Sequence, residues 1–173
     1  MVEISNENVC AFVEFVAKVM DIRSDEYDIN IDRDNSLGDA PASVHLYPGM
    51  KKGKIIVCER LGNPSTESQC LEASIYLAEE LAYTWQGLRH YEEYFGAVED
   101  DRESTDEERE KHMWRIDAAA VALLLFGRFF DKHPPKNEWW HPSTYDLIVE
   151  RANQMAVVLD DIRIDYLLSN NEL

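Results

Sequence analysis

Apolar residues recur at helical spacing in four stretches of the chain and at strand spacing in three. Val9, Phe12, Val13, Val16, Val19 and Met20 form one stripe over residues 6–20, with Ser5 or Asn6 placed to cap it. Three short segments follow in which β-branched and aromatic residues dominate: Tyr27 to Asp32, Ser43 to Tyr47 and Lys54 to Glu59. Pro48-Gly49 and Gly53 punctuate the last two, and Gly38 to Pro41 separates the first two. A small antiparallel meander is expected, with Lys54 to Glu59 as its last, exposed strand.

The remaining pattern is helical. Ser65 or Thr66 can cap a long helix whose stripe is Leu71, Ile75, Ala78, Leu81, Trp85 and Leu88, running to about Phe95 before Gly96. Glu99 to Glu110 carries no large apolar residue and reads as an exposed acidic loop. A second helix runs from His112 to about Phe130, with Trp114, Ala118, Val121, Leu124 and Leu125 on a broad apolar face and Pro134-Pro135 as its stop. After an aromatic loop, Glu138 to Pro142, Ser143 or Thr144 caps a last helix to about Ser169, with Leu147, Ala152, Met155, Val158, Leu159, Ile162 and Leu167 inward. The order predicts an α+β fold over residues 1–173 as one globular domain: an N-terminal helix, a three-stranded antiparallel sheet, then three long helices.

Composition narrows the function classes. The chain holds 34 acidic residues against 17 Lys plus Arg, a net charge of −17, so direct binding to nucleic acid through a basic surface is not expected. The longest apolar stretch, Ala118 to Phe126, is too short to span a bilayer, and the N-terminus has no basic leader region; a cytoplasmic protein without a membrane segment is expected. Three cysteines, Cys10, Cys58 and Cys70, show no metal-knuckle spacing and read as small buried hydrophobes.

The chemistry-bearing phrase is Glu79-Glu80-Leu81-Ala82-Tyr83-Thr84-Trp85-Gln86, in the middle of the long helix. Together with the preceding strands and the Ala-rich segment Arg115-Ile116-Asp117-Ala118-Ala119-Ala120, it resembles the active-site helix of a bacterial family of zincin-like, HExxH-type metallopeptidases, over about residues 27–125. The resemblance implies a zincin-like core. In that family two histidines one turn apart bind zinc, a glutamate between them polarises the bound water, and a third ligand comes from the next helix. Carried over by position, Glu80 is the general base, Glu79 and Tyr83 stand at the two histidine positions, and Asp117 is the nearest third ligand.

Both motif histidines are therefore replaced. A carboxylate and a phenol with an ordinary pKa near 10 are poor zinc ligands at neutral pH, so no zinc or other cofactor is expected. The preferred expectation is a metallopeptidase-like domain that no longer hydrolyses and binds a protein or peptide, with Lys54 to Glu59 taking up an extended segment by strand addition. Two alternatives stand beside it. One is an acidic inhibitor that mimics nucleic acid, and the other is a metal-dependent hydrolase with an atypical oxygen-ligand site that takes in His112. Asp117 has a structural reading too, as the partner of Tyr83, Arg89, Arg115 or a backbone group. Trp139 and Trp140 read as packing beneath the last helix or as a partner-binding patch.

Overall fold

In the computed structural model the described residues are 2–105, 108, 112–132 and 139–169, the side chains of 101 and 157–169 excepted. The fold is α+β: an N-terminal helix, a small three-stranded sheet and then several helices. Helix α1 (Glu7–Val19) is capped by Asn6, whose side-chain oxygen accepts from the N–H groups of Asn8 at 3.0 Å and Val9 at 3.3 Å. Its stripe of Val9, Phe12, Val13, Val16 and Ala17 is buried as the spacing requires.

The sheet departs from the expected meander. Strand β1 (Tyr27–Ile31), strand β2 (Ala42–His45) and strand β3 (Gly53–Val57) lie in the order β1-β3-β2. β3 pairs parallel with β1, Ile29 opposite Ile55, and antiparallel with β2, Val44 opposite Ile55. The cause lies in the connection over residues 32–41, which carries the chain past the position β3 will occupy. Asp32 organises that loop, accepting from the N–H groups of Asp34, Ser36 and Leu37 and from the Ser36 hydroxyl at 2.9–3.3 Å. The segment Lys54 to Glu59 is therefore the centre of the sheet, paired on both sides, and strand addition along it is excluded. The outer edge of β1 receives the N-terminal residues, Glu3 N–H donating to the Ile29 carbonyl at 2.9 Å. That leaves β2 as the edge facing the helices.

A helical turn, α2 (Glu59–Gly62), replaces the start of the expected loop and leads to α3 (Glu67–Arg89). Thr66 and Gln69 close a capping box at its start, Thr66 Oγ1 accepting from Gln69 N–H at 3.2 Å and Gln69 Oε1 from Thr66 N–H at 3.3 Å. The helix stops earlier than Phe95. The backbone turns at His90, and α4 (Tyr91–Asp101) sets off in a new direction with Gly96 inside it. Gly87 allows the turn: a Cβ there would lie 1.9 Å from Leu46 Cδ2 and 3.2 Å from Tyr94 Cδ1. Its bare backbone lets Leu46 and the returning Tyr94 ring close over α3.

Helix α5 (Met113–Phe130) ends at Asp131, which takes a left-handed conformation with φ 51°. Pro134-Pro135 and Glu138 lie outside the described residues. Helix α6 (Pro142–Ser169) starts with Pro142 in its first turn, and His141 rather than Ser143 or Thr144 caps it, Nδ1 accepting from Ser143 N–H at 3.3 Å. The inward residues expected beyond Met155 in this helix have no described side chains. Helices α1, α3 and α5 pack with the sheet around Phe12, Ile29, Ile55, Leu77, Leu81, Leu125 and Phe126, each at most 1% exposed. None of the helices is long and apolar enough to cross a membrane, among the described residues.

Candidate functional site

The middle of α3 presents Glu79, Glu80 and Tyr83 to different neighbours. Tyr83 stands one turn after Glu79 on the same face, and its hydroxyl donates to Glu79 Oε1 at 3.1 Å. The two positions that would carry zinc-binding histidines in the resembled helix are thus bonded to each other. They line a small cavity of about 140 Å³ between α3, the start of α5 and the start of α6, together with Arg115, Trp140 and His141. Glu79 keeps part of its surface open to that cavity, but protein atoms crowd its carboxyl. Burial pushes the Glu79 carboxyl up; the Tyr83 hydroxyl and the Arg115 guanidinium oppose the shift. The Trp140 indole N–H also favours the ionised form from nearby, without reaching proper hydrogen-bond geometry.

Glu80 lies on the adjacent face and is only 8% exposed. It faces the edge strand β2, whose Val44 backbone N–H favours its ionised form from nearby. Burial and then the neighbouring Glu79 charge push the Glu80 carboxyl up to about 8, against the pull of Val44 and Arg115. Burial first, and then the two glutamates, hold the Tyr83 hydroxyl well above its ordinary range. Tyr94 of α4 is pushed up to about 12 by burial and by Glu80. Trp114 walls the group: its ring centroid lies 5.1 Å from that of Tyr83 and 5.5 Å from that of Tyr94, and the Arg115 guanidinium stacks 4.7 Å from it.

The residues do not fit a zinc ion. Glu79 and Tyr83 satisfy each other, Glu80 is turned to the β2 backbone, and the site already contains a fixed positive charge on Arg115. Asp117 does not join them. It follows Arg115 by two residues, so the helix projects the two side chains to nearly opposite sides. Asp117 accepts instead from Arg151 Nε of α6 at 2.7 Å. Its partner is thus none of Tyr83, Arg89 or Arg115. His112 contacts Ser104 Oγ at 3.3 Å and brings no imidazole to the cluster. Among the described residues, no three histidine, cysteine or acidic side chains converge in a way that would hold a metal ion.

Two features escaped the sequence reading. Arg115 is the cation of the site, and its signal was present: an arginine in an otherwise Ala-rich apolar helix must find acids when it is covered. The second is a cavity of about 1000 Å³ on the other side of α3, bounded by the end of α1, by α4, by α5 and by α6. Trp85, Tyr94, Trp114, Val121, Leu125 and Met155 supply its apolar wall, and Asp117 and Arg151 sit in it. Gln86 ties two of its walls together, Nε2 donating to the Trp114 carbonyl at 2.9 Å. Trp139 and Trp140 meet core partners: Trp139 lies 5.7 Å from Phe126, edge-on, and Trp140 lies 6.3 Å from Tyr145, centroid to centroid.

Comparison with family models, with curated proteins and with solved structures finds no match to this chain.

Proposed function

We propose that this chain is a binding module built on a metallopeptidase-like frame, without hydrolytic chemistry, and that its partner is a protein or peptide. The observation that carries the first part is the state of Glu80. A general base must be ionised and must face a water or a substrate. Glu80 is only 8% exposed, and burial and then Glu79 push its carboxyl up to about 8, so it offers little ionised surface to a water or a substrate. Among the described residues nothing around it activates water: the neighbouring ligand positions bond each other, and Arg115 brings a positive charge.

The glutamate then has a structural task. An unpaired N–H on an edge strand is a liability in folding and association, and Glu80 stands beside one such group, that of Val44. The net charge of −17 supports a protein partner over nucleic acid or an anionic membrane.

The test is metal content and hydrolysis of untagged protein. Metal analysis is expected to find far less than one zinc per chain, and Glu80→Gln is expected to leave any trace peptidase signal unchanged. One tightly held zinc per chain, or hydrolysis of an unfolded protein substrate that disappears in Glu80→Gln, overturns the reading.

A further inference from the structure

We propose that the cavity of about 1000 Å³ between α1, α3, α4, α5 and α6 is the docking site for a segment of a partner protein that presents large apolar side chains beside lysine or arginine. This rests on the binding-module reading and gives it a place and a chemistry.

The wall specifies apolar, aromatic-compatible side chains. Trp85, Tyr94 and Trp114 line the space, and Val121, Leu125 and Met155 complete it. The volume is at the upper end of ordinary ligand pockets, which run to roughly 1,000 Å³. It therefore suits several side chains better than one small molecule. Aromatic faces also attract cations.

The charges specify the sign of the partner. Two arginines border the cavity, and both are already engaged by carboxylates. Arg89 grips Glu26 with two hydrogen bonds of 2.9 Å and 2.8 Å and also reaches the Asp21 carbonyl at 3.0 Å. Arg151 holds Asp117 at 2.7 Å and Gln154 at 3.2 Å. Asp21 and Glu93 line the same cavity at exposed positions, and Glu92 stands exposed next to Glu93 on α4. The lining is thus net negative: Asp21, Glu93 and Asp117 face two arginines, and Arg89 is further neutralised by the buried Glu26 behind it. A second copy of the chain is a poor occupant, because each copy carries a net −17. A basic, apolar segment meets both the wall and the rim.

The experiment uses the full chain and a fluorescently labelled synthetic amphipathic peptide of leucine, tryptophan and lysine. A twin in which glutamate replaces every lysine serves as control. Anisotropy titrations are expected to show saturable one-to-one binding of the lysine peptide, weakened as salt rises, and none of the glutamate twin. Val121→Trp, which fills the cavity, is expected to weaken binding at least tenfold, and Glu93→Lys several-fold. Met155→Trp, at a partly exposed wall position, repeats the filling test if Val121→Trp melts early.

Equal binding by wild type and both filled variants overturns the proposal, since the peptide would then rest on the general acidic surface. No binding, or equal binding of the glutamate twin, overturns it as well. So does a dimer in sedimentation that Met155→Trp dissociates, or uptake of benzyltrimethylammonium without uptake of the peptide. A failure here with no zinc on the protein leaves the binding-module reading intact. Zinc-dependent hydrolysis defeats that reading whatever the peptide does.

Discussion

Glu26 and Glu80 are buried to nearly the same depth, 6% and 8% exposed, yet they behave as opposite kinds of carboxyl. Glu26 is held down to about 2, foremost by hydrogen bonds from Arg89 and also by the Arg23 N–H, against the upward push of burial. Glu80 is pushed up to about 8, foremost by burial and then by Glu79, with one backbone N–H and a more distant guanidinium in opposition. Depth of burial therefore does not decide charge in this molecule; the number of donors aimed at the carboxyl does. The site that looks catalytic in sequence is the one left short of donors.

The largest expected effect comes from making Glu80 permanently neutral. A carboxyl raised in the folded state contributes stability that is complete below its unfolded value of 4.5 and is lost as pH rises through about 8. Glu80→Gln has nearly the same shape and cannot ionise. Urea unfolding is expected to find the variant close to wild type at pH 5 and more stable by on the order of 3 kcal/mol at pH 8. Parallel curves for the two proteins from pH 5 to pH 8 would break the comparison, because Glu80 would then be ionised at little cost.

Arg89→Met tests the other side. A carboxyl lowered in the folded state contributes stability above its unfolded value of 4.5, and that stability is lost as pH falls through about 2. Removing the guanidinium leaves a buried carboxylate with the Arg23 N–H and the exposed Arg23 guanidinium 3.5 Å away. Arg89 is itself about one-third exposed, its side chain at 34%, so water recovers part of the loss. A destabilisation of about 2 kcal/mol at pH 7 is expected, smaller at pH 3 and vanishing only as pH falls through about 2. If the loss were as large at pH 3 as at pH 7, the arginine would act through packing of its stem, and charge would not be the distinction between the two glutamates.

How much of this was readable without coordinates depends on how local each cause is. The stripe of α1 and the capping box at Thr66 and Gln69 follow from residues three and four apart, and both stand where the spacing put them. The Glu79–Tyr83 bond is also one helical turn, so its geometry was implicit in the sequence. Strand order was not, because β3 enters between β1 and β2 only after the loop at residues 32–41 has passed that position. The turn at His90 was missed for a related reason. Gly96 looked like the stop, while the residue that permits the turn is Gly87, through a contact with Leu46 that no helical pattern encodes. Asp117 was assigned to the wrong side of α5, since a helix with apolar residues nearly all round does not reveal which face meets α3. Glu26 and Arg89 pair across 63 positions, and no short motif announces them.

The third carboxylate gives the smallest effect and the finest test. Asp117 and Arg151 are joined as closely as Glu26 and Arg89, at 2.7 Å, but their side chains are 29% and 36% exposed. If donors decide protonation and water decides how much a pair is worth, this bridge has a good bond and little energy. A double-mutant cycle of Asp117→Asn and Arg151→Met is expected to give a coupling of about 0.5 kcal/mol at pH 7, falling further at 1 M salt. A coupling above about 2 kcal/mol that salt does not touch would mean that the large cavity behaves as dry interior. The acidic rim would then be closed to a basic partner, and Asp117 would join Glu26 as a core residue.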